Sequence, residues 1–232
     1  MPPELSNALI VVAKRPAPGR TKTRLSPPLT PQMASQLYEC FLLDTLDQMR
    51  QVKDTQKVIA YFSEPEYFQR LAPDFQLIQQ VGSDLGARLD HVLTTYLSLG
   101  YQRVVIIDSD SPTLPSTYLS QSFIGLADGA DVCLGPCEDG GYYLIGGRQP
   151  IPRLLREVHM STPTVAADTI ALAKEEGLRL SLLPIWYDVD DIASLARLVK
   201  ECDIIDSQVA TNTHNFLREN TIRRLVLGES EI

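Results

Sequence analysis

Apolar residues in this chain follow two alternating patterns: short unbroken runs, and longer stretches where they recur every third or fourth position. Ala8–Ala13 (ALIVVA) is the first unbroken run and predicts a strand buried on both faces, as in a parallel sheet. Lys14–Leu29, rich in Pro, Lys and Arg, predicts a loop. Thr30 can cap the helix that follows, and Pro31 suits its first turn. Along that helix Ala34, Leu37, Tyr38, Phe41, Leu42, Thr45, Leu46 and Met49 form a core-facing stripe.

The alternation continues. Lys57–Phe62 predicts a strand, Pro65–Leu71 a short helix and Phe75–Gln80 a third strand. Gly82–Gly86 reads as a turn into a helix carrying Leu89, Val92, Leu93 and Leu97, closed by Gly100. Arg103–Ile107 (RVVII) is the strongest strand signal and runs straight into Asp108. A helix from Ser116 to about Asp128-Gly129 follows, then strands at Asp131–Leu134 and Tyr142–Ile145. Thr162–Glu176 reads as helical, Leu180–Leu183 as extended and Ile192–Cys202 as an amphipathic helix. In the last thirty residues or so the pattern gives one helix, Asn215–Leu227, which either packs back on the domain or serves a homodimer contact. Strands alternating with helices imply βαβ units, so the expected fold is α/β, a mostly parallel sheet flanked by helices. With no repeat or obvious linker, a single domain over residues 1–232 is expected.

Composition adds little to this picture and charge somewhat more. A 44% hydrophobic and 22% charged chain is ordinary for a globular protein. The net charge of −8 argues against nucleic acid as a partner and favours a small-molecule substrate. The four cysteines, Cys40, Cys133, Cys137 and Cys202, lack zinc-site spacing and read as reduced thiols. Ala8–Ala13 is too short for a signal peptide or a membrane span, so a cytoplasmic protein is expected.

In parallel sheets ligands bind beyond the carboxyl ends of the strands, which directs attention to the residues after each one. After the first come Lys14, Arg15, Arg20, Lys22 and Arg24, five cations within twelve residues shaped by two prolines and Gly19. If these cations face a common region, they suit a diphosphate. Glycine spacing rules out both a Walker loop and GxGxxG. After the central strand, Asp108-Ser109-Asp110-Ser111-Pro112 places two carboxylates where they can reach Mg²⁺ or Mn²⁺. Gly135–Tyr143 follows a later strand, and its Asp139-Gly140-Gly141 is both a hairpin turn signal and a place where backbone can approach a ligand. Tyr187-Asp188-Val189-Asp190-Asp191 precedes a helix; Asp190 or Asp191 can cap it, leaving Asp188 as a further metal ligand. None of His91, His159 and His214 sits in a metal-like or triad-like pattern.

These blocks together, AKRPAPGRTKTRLSPPLTP, VGSDLGARL, VVIIDSDSPTLP, LGPCEDGGYYLIG and YDVDDIASLARL, resemble the bacterial DUF2064 proteins across about residues 8–200. That family is glycosyltransferase-like, named radical-SAM/selenodomain-associated transferase 1, and linked to arsenosugar biosynthesis. It is placed in the nucleotide-diphospho-sugar transferase superfamily. The resemblance implies a GT-A-like fold, a nucleotide-sugar donor, a divalent metal and transfer to an acceptor. By motif, Lys14, Gly19, Lys22, Thr23 and Arg24 match its N-terminal loop, and Gly82, Leu85, Gly86 and Arg88 its second block. Asp108, Asp110 and Pro112 match the metal block, Asp139, Gly140, Gly141 and Tyr142 the DGGY block, and Asp188 and Asp190 the late acidic block. Asp108 stands where the family carries glycine, which leaves Asp110 as the better-matched ligand. Met160-Ser161-Thr162 stands where the family has Trp-Ser-Thr. The basic loop also resembles that of phospholactate guanylyltransferases, with Lys22-Thr23-Arg24-Leu25 against their Lys-Ser-Arg-Leu. The implied readings are therefore a metal-dependent glycosyltransferase, a nucleotidyltransferase, or a non-catalytic nucleotide-binding protein. In the enzyme readings Lys22 and Arg24 hold diphosphate, Asp110 with Asp188 or Asp190 the metal, Gly82–Arg88 the nucleotide or acceptor, and Asp139 the acceptor hydroxyl.

Overall fold

The computed structural model describes residues 6–218 and 220–228. In chain order the elements are β1 (Asn7–Ala13), α1 (Pro31–Gln51), β2 (Thr55–Tyr61), α2 (Pro65–Leu71), β3 (Gln76–Gln79), α3 (Leu85–Ser98), β4 (Arg103–Ile107), α4 (Ser116–Ala127) and β5 (Val132–Pro136). They continue with β6 (Tyr142–Gly147), α5 (Pro152–Arg156), α6 (Val165–Glu175), β7 (Leu180–Leu182), α7 (Ile192–Cys202), α8 (Thr211–Leu217) and α9 (Asn220–Leu227). The chain divides into two compact units.

The first unit comprises Met1–Arg15, Met49–Asp108 and Pro115–Trp186. It holds one seven-stranded sheet in the order β3-β2-β1-β4-β6-β5-β7. β6 runs antiparallel to β4 and β5, and every other pairing is parallel, as the alternating pattern implies. Because side chains alternate along a strand, Ala8 and Ile10, Val58 and Ala60, Val104 and Ile106, and Val132 and Leu134 share one face. They join Leu89, Val92 and Leu93 of α3, Leu154 and Leu155 of α5, and Ala166 and Ala173 of α6 in a continuous buried core.

The second unit comprises Pro16–Gln48, Ser109–Leu114 and Tyr187–Ile232. Thr30 caps α1 as expected, its Oγ1 accepting from Met33 N at 3.2 Å. Asp191 caps α7 in a capping box with Ser194. Among the described residues no helix is long and apolar enough to cross a membrane.

Four sequence expectations need correction. The Lys14–Leu29 loop contains a 3₁₀ turn at Thr23–Leu25, anchored by buried Leu25. Leu85 and Gly86 lie inside α3 and not in the turn before it, because Asp84 caps the helix there, accepting from Ala87 N at 2.8 Å. α5, absent from the sequence reading, is too short to show a helical period; Pro152 starts it, and Leu154 and Leu155 bury it. The single C-terminal helix is two. α8 begins four residues earlier than expected because the Asp44 carboxylate accepts from Asn212 N at 2.9 Å and Thr213 N at 2.8 Å, a cap supplied from α1.

Gly86 shows how α3 is seated. A Cβ at this position would lie 1.9 Å from the Leu155 carbonyl oxygen, so α3 and α5 approach backbone to side-chain-free backbone. Gly86→Ala should therefore force the helices apart and cost about 2 kcal/mol of unfolding free energy, lowering Tm by roughly 4–8 °C. Scanning calorimetry checks this, and an unchanged Tm would remove the packing role.

Candidate functional site

The basic loop folds on itself before it reaches its key residue. Arg20 N and Thr21 N both donate to Ala17 O, at 3.0 and 3.2 Å, with Gly19 supplying the positive φ of 71° that the turn needs. The Thr21 hydroxyl closes the turn against Ala17 from its other side, accepting from Ala17 N at 3.3 Å. Lys22 then adopts a left-handed conformation, φ 48° and ψ 43°, as the cap of the 3₁₀ turn. This sends its side chain inward, where only 5% of it is exposed.

There the ammonium meets two carboxylates. Lys22 Nζ lies 2.6 Å from Asp110 Oδ1 and 2.7 Å from Asp190 Oδ1. The Phe41 ring centroid is 5.7 Å away and adds a weaker cation–π contact. Left-handed backbone at a non-glycine residue costs on the order of 1–2 kcal/mol, and two charge-assisted bonds to one buried cation offset that. Burial alone would pull Lys22 toward neutrality, yet Asp110 and Asp190 outweigh it and hold the ammonium above its ordinary range.

The segments that carry the two carboxylates are fixed by backbone bonds and buried hydroxyls. Ser109 is buried and its hydroxyl lies 3.0 Å from the Tyr38 hydroxyl. Val189 N donates to Asp110 O at 2.9 Å, and the Ser111 hydroxyl donates to Tyr187 O at 3.0 Å, stitching the two acidic segments together. Burial alternates along Tyr187–Asp190: Tyr187 and Val189 are buried, and Asp188 and Asp190 are half-buried. Asp191 leaves this set to cap α7. Sequence reasoning named Lys22, Asp110 and Asp190, but as two separate groups, one for the anion and one for the metal; their pairing has no local signal.

The remaining loop cations have different settings within their own units. Arg15, in the first unit, is committed to Glu64 and lies 5.8 Å from the Tyr67 ring centroid, while Lys14 beside it is exposed. Arg24 is largely exposed and 3.9 Å from Asp190 Oδ2. Gly19 and Thr23 line a small hollow of about 190 Å³ with Thr21, Ser26, Pro31 and Ala34. Pro112 accepts a hydrogen bond from the Gln48 amide through its carbonyl.

The other expected site residues lie in the first unit. Asp108 follows β4, its N–H donating to Tyr143 O at 3.1 Å. Gly82 has φ 152°, and a Cβ there would meet Ala87 and Arg88 backbone at 2.8 Å. Arg88 stacks 4.8 Å from the Phe62 ring centroid and donates to Gly82 O at 3.3 Å. Asp139 Oδ1 accepts from Gly141 N at 2.8 Å, within the hairpin between β5 and β6. Gly140, at φ 92°, lets its backbone run against Pro163, where a Cβ would be 1.8 Å from the carbonyl oxygen. Tyr142 donates to Met160 Sδ at 3.5 Å, so Met160 fills a position beside the DGGY block where the family carries Trp. Burial raises the Tyr142 phenol above its ordinary range.

The DUF2064 family model, described as an uncharacterized protein conserved in bacteria, matches residues 45–162. A crystal structure from Desulfovibrio desulfuricans G20, described as a "putative nucleotide-diphospho-sugar transferase", is 30% identical with a TM-score of 0.88, covering 95% of this chain and 98% of its own. A cytidylyltransferase from Leptospira borgpetersenii serovar Hardjo-bovis (strain JB197) is 13% identical with a TM-score of 0.55, covering 99% and 100%. Rv0371C of Mycobacterium tuberculosis H37Rv in complex with manganese is 16% identical with a TM-score of 0.52, covering 84% and 98%. These last two share the fold. No curated protein matches the sequence.

The buried ammonium sets a stability prediction. Lys22→Met keeps most of the side-chain volume but leaves Asp110 and Asp190 without their cation, and should cost about 2 kcal/mol at neutral pH. Because Lys22 is raised in the folded state, its contribution is fully present below the ordinary lysine value of about 10.4 and is lost as pH rises beyond it. Urea unfolding of both proteins from pH 7 to 11 should show a constant difference that narrows only at the alkaline end. A difference that already shrinks between pH 7 and 9 would contradict the ion-pair account.

Proposed function

The chain belongs to the bacterial DUF2064 family, and on that premise we propose that it is a metal-dependent transferase moving a glycosyl group from a nucleotide-diphosphate sugar to an acceptor. The observation that carries this reading is the convergence of Asp110 and Asp190 on one cation, the Lys22 ammonium. Two carboxylate oxygens within 2.7 Å of a single Nζ already accommodate a cation, and hard oxygen donors of this kind suit Mg²⁺ or Mn²⁺. Asp110 and Asp190 would hold the ion, and Asp188 and Asp108 are the remaining acidic positions of the two motifs. When bound, such an ion offsets the charge that builds on a departing nucleotide diphosphate.

The protein's own side chains do the rest. Lys22, with exposed Arg24, supplies cations for the diphosphate oxygens, and Lys14, Gly19 and Thr23 belong to the same loop motif. The Gly82–Arg88 segment, with Arg88 on Phe62, lines the nucleotide or acceptor side. Asp139 takes the proton from an acceptor hydroxyl, its Oδ1 oriented by Gly141 N, with Gly140, Gly141 and Tyr142 on the acceptor side. A net charge of −8 is in keeping with small-molecule substrates.

The reading is tested with a panel of nucleotide sugars and nucleotide triphosphates in the presence of Mn²⁺, followed by calorimetry and by the phosphate product. Nucleotide-sugar binding with release of a nucleoside diphosphate is expected. Binding of triphosphates alone, with release of pyrophosphate, would make the protein a nucleotidyltransferase. Asp110→Asn should weaken metal-dependent binding on the order of tenfold or more. Asp139→Asn should leave binding intact and slow turnover by about 10²-fold or more.

A further inference from the structure

We propose that Lys22 is a stand-in cation, so that a divalent ion is taken up only together with a diphosphate. This rests on the reading of Asp110 and Asp190 as metal ligands. Lys22 Nζ occupies one oxygen of each carboxylate, the Oδ1 atoms, at 2.6 and 2.7 Å. Its side chain is 5% exposed, whereas the Asp110 and Asp190 side chains keep 33% and 44% of their surface in contact with solvent. An ion can thus approach the carboxylates from water, but it meets an ammonium already seated behind them.

The charges decide what happens next. Lys22 with its two carboxylates carries one unit of net negative charge. Adding a divalent ion alone turns this into one unit of positive charge around a buried ammonium, and burial makes that repulsion expensive. A diphosphate reverses the balance: its oxygens accept from Lys22, freeing the shared Oδ1 atoms, and its negative charge offsets the ion. Arg24, 3.9 Å from Asp190 and 78% exposed, is a second cation available to the same anion. Ion and diphosphate therefore bind with positive coupling, and by linkage each tightens the other by the same factor.

The experiment uses the full chain and Mn²⁺ as the probe. Equilibrium dialysis is run with UDP, GDP, CDP or ADP present in both chambers, so that chelation by free nucleotide cancels, and the excess Mn²⁺ on the protein side is read by paramagnetic resonance. For the wild type, at least one diphosphate should tighten Mn²⁺ binding on the order of tenfold. Lys22→Met should bind Mn²⁺ alone on the order of tenfold more tightly than the wild type, and its coupling to the diphosphate should largely vanish. Lys22→Gln, checked for folding by circular dichroism, should behave like Lys22→Met; the wild-type coupling is measured without either variant. Equal Mn²⁺ binding by the wild type with and without every diphosphate overturns the stand-in role while leaving the metal site standing. Absence of Mn²⁺ binding to wild type and variants under all conditions overturns the metal site, and this inference with it.

Discussion

A lysine ammonium buried between two carboxylates is the constraint on which the candidate site depends. A cation removed from water must be matched by negative charge at close range, and Asp110 and Asp190 meet that demand at hydrogen-bond distance. Three separate stretches of sequence must therefore be brought to one point. The turn at Ala17–Thr21 and the left-handed Lys22 aim the side chain. The Ser109–Tyr38 contact and the Val189–Asp110 backbone bond fix the segments that carry the carboxylates. The backbone strain at Lys22 makes sense only with the ion pairs it permits. Elsewhere in the chain a lysine would avoid that conformation.

The fold was legible in the sequence wherever burial imposes a regular period. Arg103–Ile107 and Ile192–Cys202 were read to the residue, because an unbroken apolar run and a strongly amphipathic repeat each leave one solution. What could not be read was structure set from a distance. α8 starts where it does because Asp44, in α1, receives its first amides, and nothing near Thr211 announces that. α5 is a single turn made stable by where Leu154 and Leu155 are buried, too short to carry a period of its own.

The site shows the same division. Chemistry was visible residue by residue: a dense run of cations after the first strand and paired acids after the central one. Partnership was not. Arg15 and Lys22 look interchangeable in a basic loop, yet one is committed to exposed Glu64 and the other is buried on two aspartates. Glycines were ambiguous for a related reason. Gly140 read as room for a ligand and Gly86 as part of a turn and a nucleotide-block motif, and each is also explained by backbone at Pro163 or Leu155 that leaves no space for a Cβ. A glycine in a motif reports close approach without saying what approaches.

Sequence assigned Lys22 to an anion and the aspartates to a cation, and the structure shows them holding one another. These are the same assignment at two stages of charge balance. Under the proposed roles, residues that suit a diphosphate and a divalent ion also suit each other, and here they pair across 2.6–2.7 Å. The carboxylates keep a solvent-facing side and the ammonium does not, which is the asymmetry the proposed ion–diphosphate coupling rests on. On the proposed roles, the affinity for either ligand alone is set by the strength of the contact each must displace, so the electrostatics of a single lysine carry most of the coupling.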